Sequence, residues 1–301
     1  MERARPLVIG IGEILWDLLP AGKQLGGAPA NFAYHAHALG ADALVVSRVG
    51  QDALGRAILD RLAGLGLRTD GIGVDPAAPT GTVTVALDAQ GVPTFTIHEN
   101  VAWDLISAAP AARAEAARAA AICFGSLAQR HPVARAVIRE FVGSVPAAAW
   151  RVFDINLRQH YYSREIIEDS LRAANVLKLN DAELPVVAHL CNLTGDESRL
   201  LAALAGRYGL RVVALTKGAA GSTLWVDGAL IRRPAAPVAR VVDTVGAGDA
   251  YTAALVMGLL AGHAPERIVD EAHRLAAHVC AQPGATPPVP AELCDLFRPA
   301  R

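Results

Sequence analysis

Short apolar runs and segments of helical periodicity alternate along most of this chain, and no other feature restricts its fold as much. Residues 7–11 form a strand-like run that stops at Gly12. Residues 29–39 read as a helix, with Pro29 early in it and Gly40 just past its end. A strand-like run at 43–49 follows. Leu54, Ile58, Leu62 and Leu65 then repeat at helical spacing. Runs at 121–124, 151–155, 176–179 and 212–215 continue the rhythm with helical stretches between them, including an Ala-rich one at 110–120. A hairpin is expected from 222–226 to 230–232, and helices near 247–261 and 265–282. Repeated βα units predict an α/β fold: a doubly wound, mostly parallel sheet with helices on both faces.

Two segments break the rhythm. In 82–98, Val83, Val85 and Leu87 alternate with Thr82, Thr84 and Ala86, a turn is expected at Asp88 to Gly91, and Phe95 and Ile97 resume the alternation. Residues 18–27, with Pro20, Gly22, Gly26 and Gly27, read as an irregular excursion. Together they predict a small β-lid, built from insertions at about 18–27 and 82–103, on a single α/β domain spanning 1–301.

Composition removes several function classes. Hydrophobic residues make up 52% and charged residues 19%, which excludes a disordered chain. A net charge of −1 argues against a nucleic-acid partner held by a broad basic surface. Mean hydropathy is +0.30, yet the most apolar stretch, 250–261, falls short of the roughly 20 residues a membrane span needs. It reads as a buried core helix, and no membrane partner is expected. Glu13 and Asp17 interrupt the apolar run near the start, so no export signal is read. The four cysteines are far apart, without metal spacing. A cytoplasmic location is the expectation.

The strongest local signal is Asp243-Thr244-Val245-Gly246-Ala247-Gly248-Asp249-Ala250-Tyr251, which runs into an apolar helix. Glycines before a helix let consecutive backbone N–H groups point outward, and the helix end adds partial positive charge, so the segment can cradle an anion. Asp249 in the first turn is placed to take a proton from a hydroxyl attacking phosphorus. It could equally be a helix cap. No GxxxxGK[ST] loop, HRD or DFG set, GxGxxG after the first strand, HExxH or GxSxG occurs.

Five motifs in order then fix a resemblance. They are Gly26-Gly27-Ala28-Pro29-Ala30-Asn31 with Gly50-Gln51-Asp52; Asp154-Ile155-Asn156-Leu157-Arg158; Asn180-Asp181-Ala182-Glu183; Thr216-Lys217-Gly218-Ala219-Ala220-Gly221; and 243–255. The chain resembles the ribokinase-like (PfkB-type) carbohydrate kinases over nearly its whole length. The segments GEILWDLLP, GGAPANFA, HENVAWD and CFGSLAQR look most like bacterial fructokinases.

The resemblance implies roles. Asp249 would be the general base, and the N–H groups of Gly246, Ala247 and Gly248 would stabilise the transferring phosphoryl group. Asp17, Gly27, Asn31, Asp154 and Arg158 would contact the sugar, with Asn156 in the same strand-end motif. Asn180 and Glu183 would help place Mg²⁺ and the phosphates, Glu183 through water. Thr216, Lys217, Gly218 and Gly221 would line the ATP site. Asp243, Val245, Cys280 and Gly284 fall in loops that hold a monovalent cation such as K⁺ in relatives. The implied activity is ATP-dependent phosphorylation of a sugar, fructose first, by a homodimer paired through the lid. Sibling substrates are ribose, 2-keto-3-deoxygluconate, a nucleoside or a phosphosugar. A sensor that keeps the fold without catalysis is the rival from another class.

Blander readings stand beside these. Asp154 and Arg158 could form a surface ion pair. Lys217 could be a solvated loop lysine. Trp16 and Trp103 could be packing residues, and His35 and His37 structural ones.

Overall fold

The computed structural model describes residues 5–19, 22–87, 93–107 and 110–297. In chain order the first elements are β1 (Leu7–Ile11), β2 (Leu15–Leu19), β3 (Gly22–Gly26), α1 (Ala28–Ala38), β4 (Asp42–Gly50), α2 (Ala53–Gly64) and β5 (Ile72–Asp75). β6 (Thr82–Leu87), β7 (Pro93–Ile97), α3 (Pro110–Ala116), β8 (Ala121–Phe124), α4 (Pro132–Ser144) and β9 (Trp150–Asp154) follow. Next are α5 (Arg164–Ala173), β10 (Val176–Asn180), α6 (Glu183–Leu190), α7 (Glu197–Tyr208) and β11 (Val212–Thr216). The chain ends with β12 (Ser222–Val226), β13 (Ala229–Arg233), α8 (Ala247–Ala261), α9 (Pro265–Cys280) and α10 (Ala291–Cys294).

The large sheet runs β13-β12-β11-β10-β9-β8-β1-β4-β5. Its pairs from β5 to β11 are parallel, and the β11–β12 and β12–β13 pairs are antiparallel. The order reverses at β1: the chain goes out to β4 and β5, then returns to β8 on the other side. Such a switch point leaves a crevice at the carboxyl ends of the strands.

Alternation along the strands feeds three apolar clusters, two of which meet β1 and one of which lies between β4 and α2. Leu7, Ile9 and Ile11 of β1 face one apolar cluster with Ile122, Phe153, Leu177 and Val213. Val8 faces the other with Cys123, Val152, Val176 and Ala214, against α8 and α9. Residues 250–258 of α8 are all buried, so the apolar stretch that raised the membrane question is a core helix. Among the described residues no helix is long and apolar enough to cross a membrane.

The second sheet corrects the reading of 18–27. That segment is not irregular: β2 and β3 pair antiparallel, and β2 pairs parallel with β6. The order is β3-β2-β6-β7. Pro20 and the expected turn at Asp88 to Gly91 lie outside the described residues. Glycines suggested a loop, yet Gly26 lies within a strand, pressed against a side chain of the next one. A Cβ there would sit 2.4 Å from Oδ2 of Asp17 on the neighbouring strand.

Candidate active site

The ends of β1, β9 and β10 and the N-termini of α1 and α8 meet in the crevice. α8 starts at Gly246, whose φ of 78° is left-handed and suits glycine. A Cβ at 246 would also lie 2.6 Å from that of Ala285. Ala247 and Gly248 follow as the first turn, with Asp249 behind them, only partly exposed.

Asp249 does not act as a free helix cap. Its Oδ2 accepts a 2.8 Å hydrogen bond from Nδ2 of Asn31, in α1. Burial, helped by the charge of Asp154, raises its pKa to about 6; the Asn31 bond, Lys178 and Arg158 pull the other way. A carboxyl so tuned is a competent base near neutrality.

Asp154 ends β9 and is 4% exposed. Its Oδ1 lies 3.1 Å from Nζ of Lys178 on β10, and its Oδ2 accepts from Oγ1 of Thr252 at 2.8 Å. The same Thr252 hydroxyl reaches the carbonyl of Gly248. Asp154 thus ties the first turns of α8 to the sheet, and its ion-pair partner is Lys178, not Arg158. Burial opposes the charge on Lys178, but Asp154, Glu183 and Asp249 hold its pKa above the ordinary value. Lys178 was missed by sequence reasoning. The signal was there: a lysine set into the strand run Val176-Leu177-Lys178-Leu179 must find a buried anion.

On the small-sheet side, Asp17 lies half-buried on β2. Burial raises its pKa and the Arg158 guanidinium lowers it. Arg158 is exposed, donates to the Leu157 carbonyl, and also acts electrostatically on Asp249. Gly27 caps α1 with a φ of 114°, and a Cβ there would strike the Glu13 carbonyl at 2.4 Å. Asn156, at the turn after β9, has a left-handed φ of 47°.

The small sheet is fastened to the body by Arg130. Its guanidinium pairs with Asp104 at 2.8 and 2.9 Å, donates to the His98 carbonyl, and lies over the Trp103 and Tyr161 rings at 4.0 and 4.7 Å. Trp103 is therefore a fully buried packing residue. Trp16 donates from Nε1 to the Leu54 carbonyl and carries Lys23 over its ring. Gln159 and Tyr161 donate to carbonyls of β7. His35 is buried beside the Ala285 carbonyl, with its pKa lowered to about 4 by burial, so it is neutral. Among the described residues no His/Cys/Asp/Glu cluster suits a metal.

Glu183 and Asn180 stand at the far end of β10. The Glu183 carboxylate accepts the N–H groups of Leu157 and Asn180, and Asn180 Oδ1 accepts those of Ala182 and Glu183. Thr216 ends β11, and Gly218 to Ala220 make one 3-10 turn closed by Gly221. A Cβ on Gly221 would meet the Arg233 carbonyl at 2.0 Å. Lys217 is not solvated as its bland reading expected: Nζ pairs with Glu197 at 3.2 Å and Thr223 at 3.0 Å.

The loops around Asp243 are pinned together. Its carboxylate accepts the N–H groups of Val245 and Gly284, and the Cys280 carbonyl accepts those of Val242 and Asp243.

Known proteins resemble this chain throughout. A family model described as pfkB family carbohydrate kinase matches residues 21–292. A fructokinase from Klebsiella pneumoniae is 31% identical over 285 residues, which is 90% of each chain. The crystal structure of a fructokinase with bound ATP from Xylella fastidiosa superposes with a TM-score of 0.83 at 25% identity, covering 97% of this chain and 98% of that one. An uncharacterized sugar kinase from Pyrococcus horikoshii in complex with ATP gives 0.79 at 25% identity, over 93% and 94%.

Proposed function

This chain belongs to the pfkB family of carbohydrate kinases, and we propose that it transfers the γ-phosphoryl group of ATP to a hydroxyl of fructose. One observation carries the reading: Asn31, in the segment proposed to grip the sugar, holds Asp249, the acid beside the glycine cradle. A hydroxyl lodged there meets a base whose pKa is about 6 and, in the same first turn of α8, the glycine cradle.

Asp249 removes the hydroxyl proton as the oxygen attacks phosphorus. The N–H groups of Gly246, Ala247 and Gly248 take up the charge that develops on the phosphoryl oxygens. Lys178, braced by Asp154, sits under Gly248 and adds fixed positive charge. Asp17, Gly27, Asn31 and Arg158 face the sugar, with Asp154 acting from beneath the site. Thr216, Gly218, Gly221 and the backbone of Lys217 line the nucleotide. The small sheet closes as a lid that keeps water from the phosphoryl group.

Mg²⁺, when bound, screens the phosphate charge. Each Glu183 oxygen already accepts a backbone N–H, so Glu183 fits as the partner of a metal-bound water, with Asn180 beside it. For a monovalent cation, carbonyls of Val245 and Gly284 would be the oxygen donors, with Asp243, each of whose oxygens already accepts a backbone N–H, holding the two loops together. The Cys280 carbonyl is already committed to two N–H groups. A homodimer paired through the small sheet, and a cytoplasmic location, complete the proposal.

A coupled ADP-release assay over ketoses, aldoses, sugar acids, phosphosugars and nucleosides tests it. Clear preference for fructose is the expected result. Preference for ribose, 2-keto-3-deoxygluconate or a nucleoside would replace the substrate and keep the chemistry. No ADP release with any acceptor would favour the sensor.

A further inference from the structure

Two buried acceptors near the base have no donor among the described residues. Glu13 is 3% exposed, and its Oε2 has no hydrogen-bond partner. Asn31 is 3% exposed, and its Oδ1 has none either. The amide orientation of Asn31 is settled by its other end. Nδ2 donates to Asp249, so turning the amide would set two acceptors against each other.

Both groups belong to one corner of the fold. Glu13 follows Gly12, whose backbone is pinned to β4 by the Val46 carbonyl and the Ser47 hydroxyl. The Glu13 carboxyl lies beside its own N–H and that of Ala28, the first residue of α1. Gly27, the cap of α1, has no side chain to serve that helix end. Asn31 lies on the same helix, its N–H bonded to the Gly27 carbonyl. The charged and titratable neighbours of Glu13 are Asp249 on α8, Arg158 after β9, and the Cys123 thiol on β8. Burial and Asp249 disfavour a charge on Glu13; Arg158 favours it. Burial is the largest effect and raises the pKa of Glu13 to about 7. An ionised carboxylate would leave both orphaned oxygens without a donor, an unfavourable state for buried polar groups. A neutral acid supplies the missing proton.

We propose that Glu13 is a positioning residue that works as a neutral acid, the proton on its carboxyl donated to Asn31 Oδ1, and so holding the amide that grips Asp249. The proposal rests on the reading of Asp249 as the general base. The proton stays on Glu13 through the reaction. When Glu13 ionises, the amide loses its donor, and turnover falls on the alkaline side.

Three measurements test it. The first is the carboxyl carbon chemical shift of Glu13 against pH in the unliganded protein, which does not depend on turnover. Glu13 is expected to stay protonated to near neutral pH; an ionised Glu13 at about pH 5 overturns the proposal. The second is the pair Glu13→Ala and Glu13→Gln. Alanine is expected to lower kcat about tenfold or more, and glutamine, which carries a permanent donor of the same shape, to recover most of that loss. The third is the kcat profile against pH: the wild-type alkaline limb is expected to vanish in Glu13→Gln. An unchanged limb, or equal losses in the two variants, overturns the proposal. Turnover by Asp249→Asn would instead defeat the base assignment, and the chemical shift would still decide Glu13.

Discussion

The ammonium of Lys178 lies 3.1 Å from the carboxylate of Asp154 and also 2.9 Å from the point where any side chain at position 248 would begin. One buried cation therefore braces the strand ends and reserves the space behind the proposed phosphate cradle. Both side chains are under a tenth exposed. Removing one partner of such a pair costs about 3–5 kcal/mol, while removing both costs far less. Lys178→Met is expected to lower stability by about that amount in urea unfolding, and Lys178→Met with Asp154→Asn by clearly less than the sum of the single changes.

Gly248→Ala tests the reserved space. The new methyl group must displace Lys178, because α8 is buried and cannot retreat. Turnover is expected to fall by about a hundredfold while the unfolding midpoint moves little, since the lost interaction is made mainly in the transition state. Near-normal kcat would show that the cradle does not depend on this contact.

Asp249, as the proposed base, sets an acid limb. Its folded pKa is about 6 and the proposed role needs the carboxylate, so the acid side of the kcat/KM profile is expected to rise with pH through about 6, before the alkaline limb assigned to Glu13. Asn31→Ala removes a hydrogen bond that lowers this pKa, so the limb is expected to move to higher pH and kcat/KM to fall about tenfold. Asp249→Asn is expected to abolish turnover and retain nucleotide affinity in a titration. An acid limb unmoved in Asn31→Ala would count against the link between the two residues.

Asp52 behaves in the opposite sense. It caps α2 through the Gly55 N–H and accepts both the N–H and the hydroxyl of Thr80. Burial pushes its pKa up, but the Thr80 and Gly55 bonds outweigh that and hold it below the ordinary value. The unfolded state then binds protons more readily, so the stability it contributes is complete above about pH 4 and is lost as pH falls through its lower folded value. Asp52→Ala is expected to cost about 1–2 kcal/mol at neutral pH and less in acid, read from urea midpoints at several pH values.

What the chain disclosed in advance follows from how local each feature is. The parallel sheet and the glycine-led start of α8 were legible because their signals are contiguous: apolar alternation, and glycines running into α8 beside Asp249. The strand character of β2 and β3 was not, because Pro20, Gly22 and the Gly26-Gly27 pair spell a loop. Those strands exist by pairing with each other and with β6, from distant positions. Lys178 and Asp154 are 24 positions apart and Asn31 and Asp249 are 218 apart, so neither pairing is written in any one window. Glu13 was passed over as an interruption of an apolar run, because burial is a property of the folded neighbourhood.

The reversal of strand order at β1 separates what the chain can alter. Asp17, Gly27 and Asn31 are all encoded within the first 31 residues. The residues of the cradle and of the proposed nucleotide wall come from 180–221 and 243–249. Exchanging the segment from β2 to α1 for that of a relative would therefore change three of the proposed sugar contacts together, while Asp154, Arg158 and the proposed phosphate-binding residues stayed as they are.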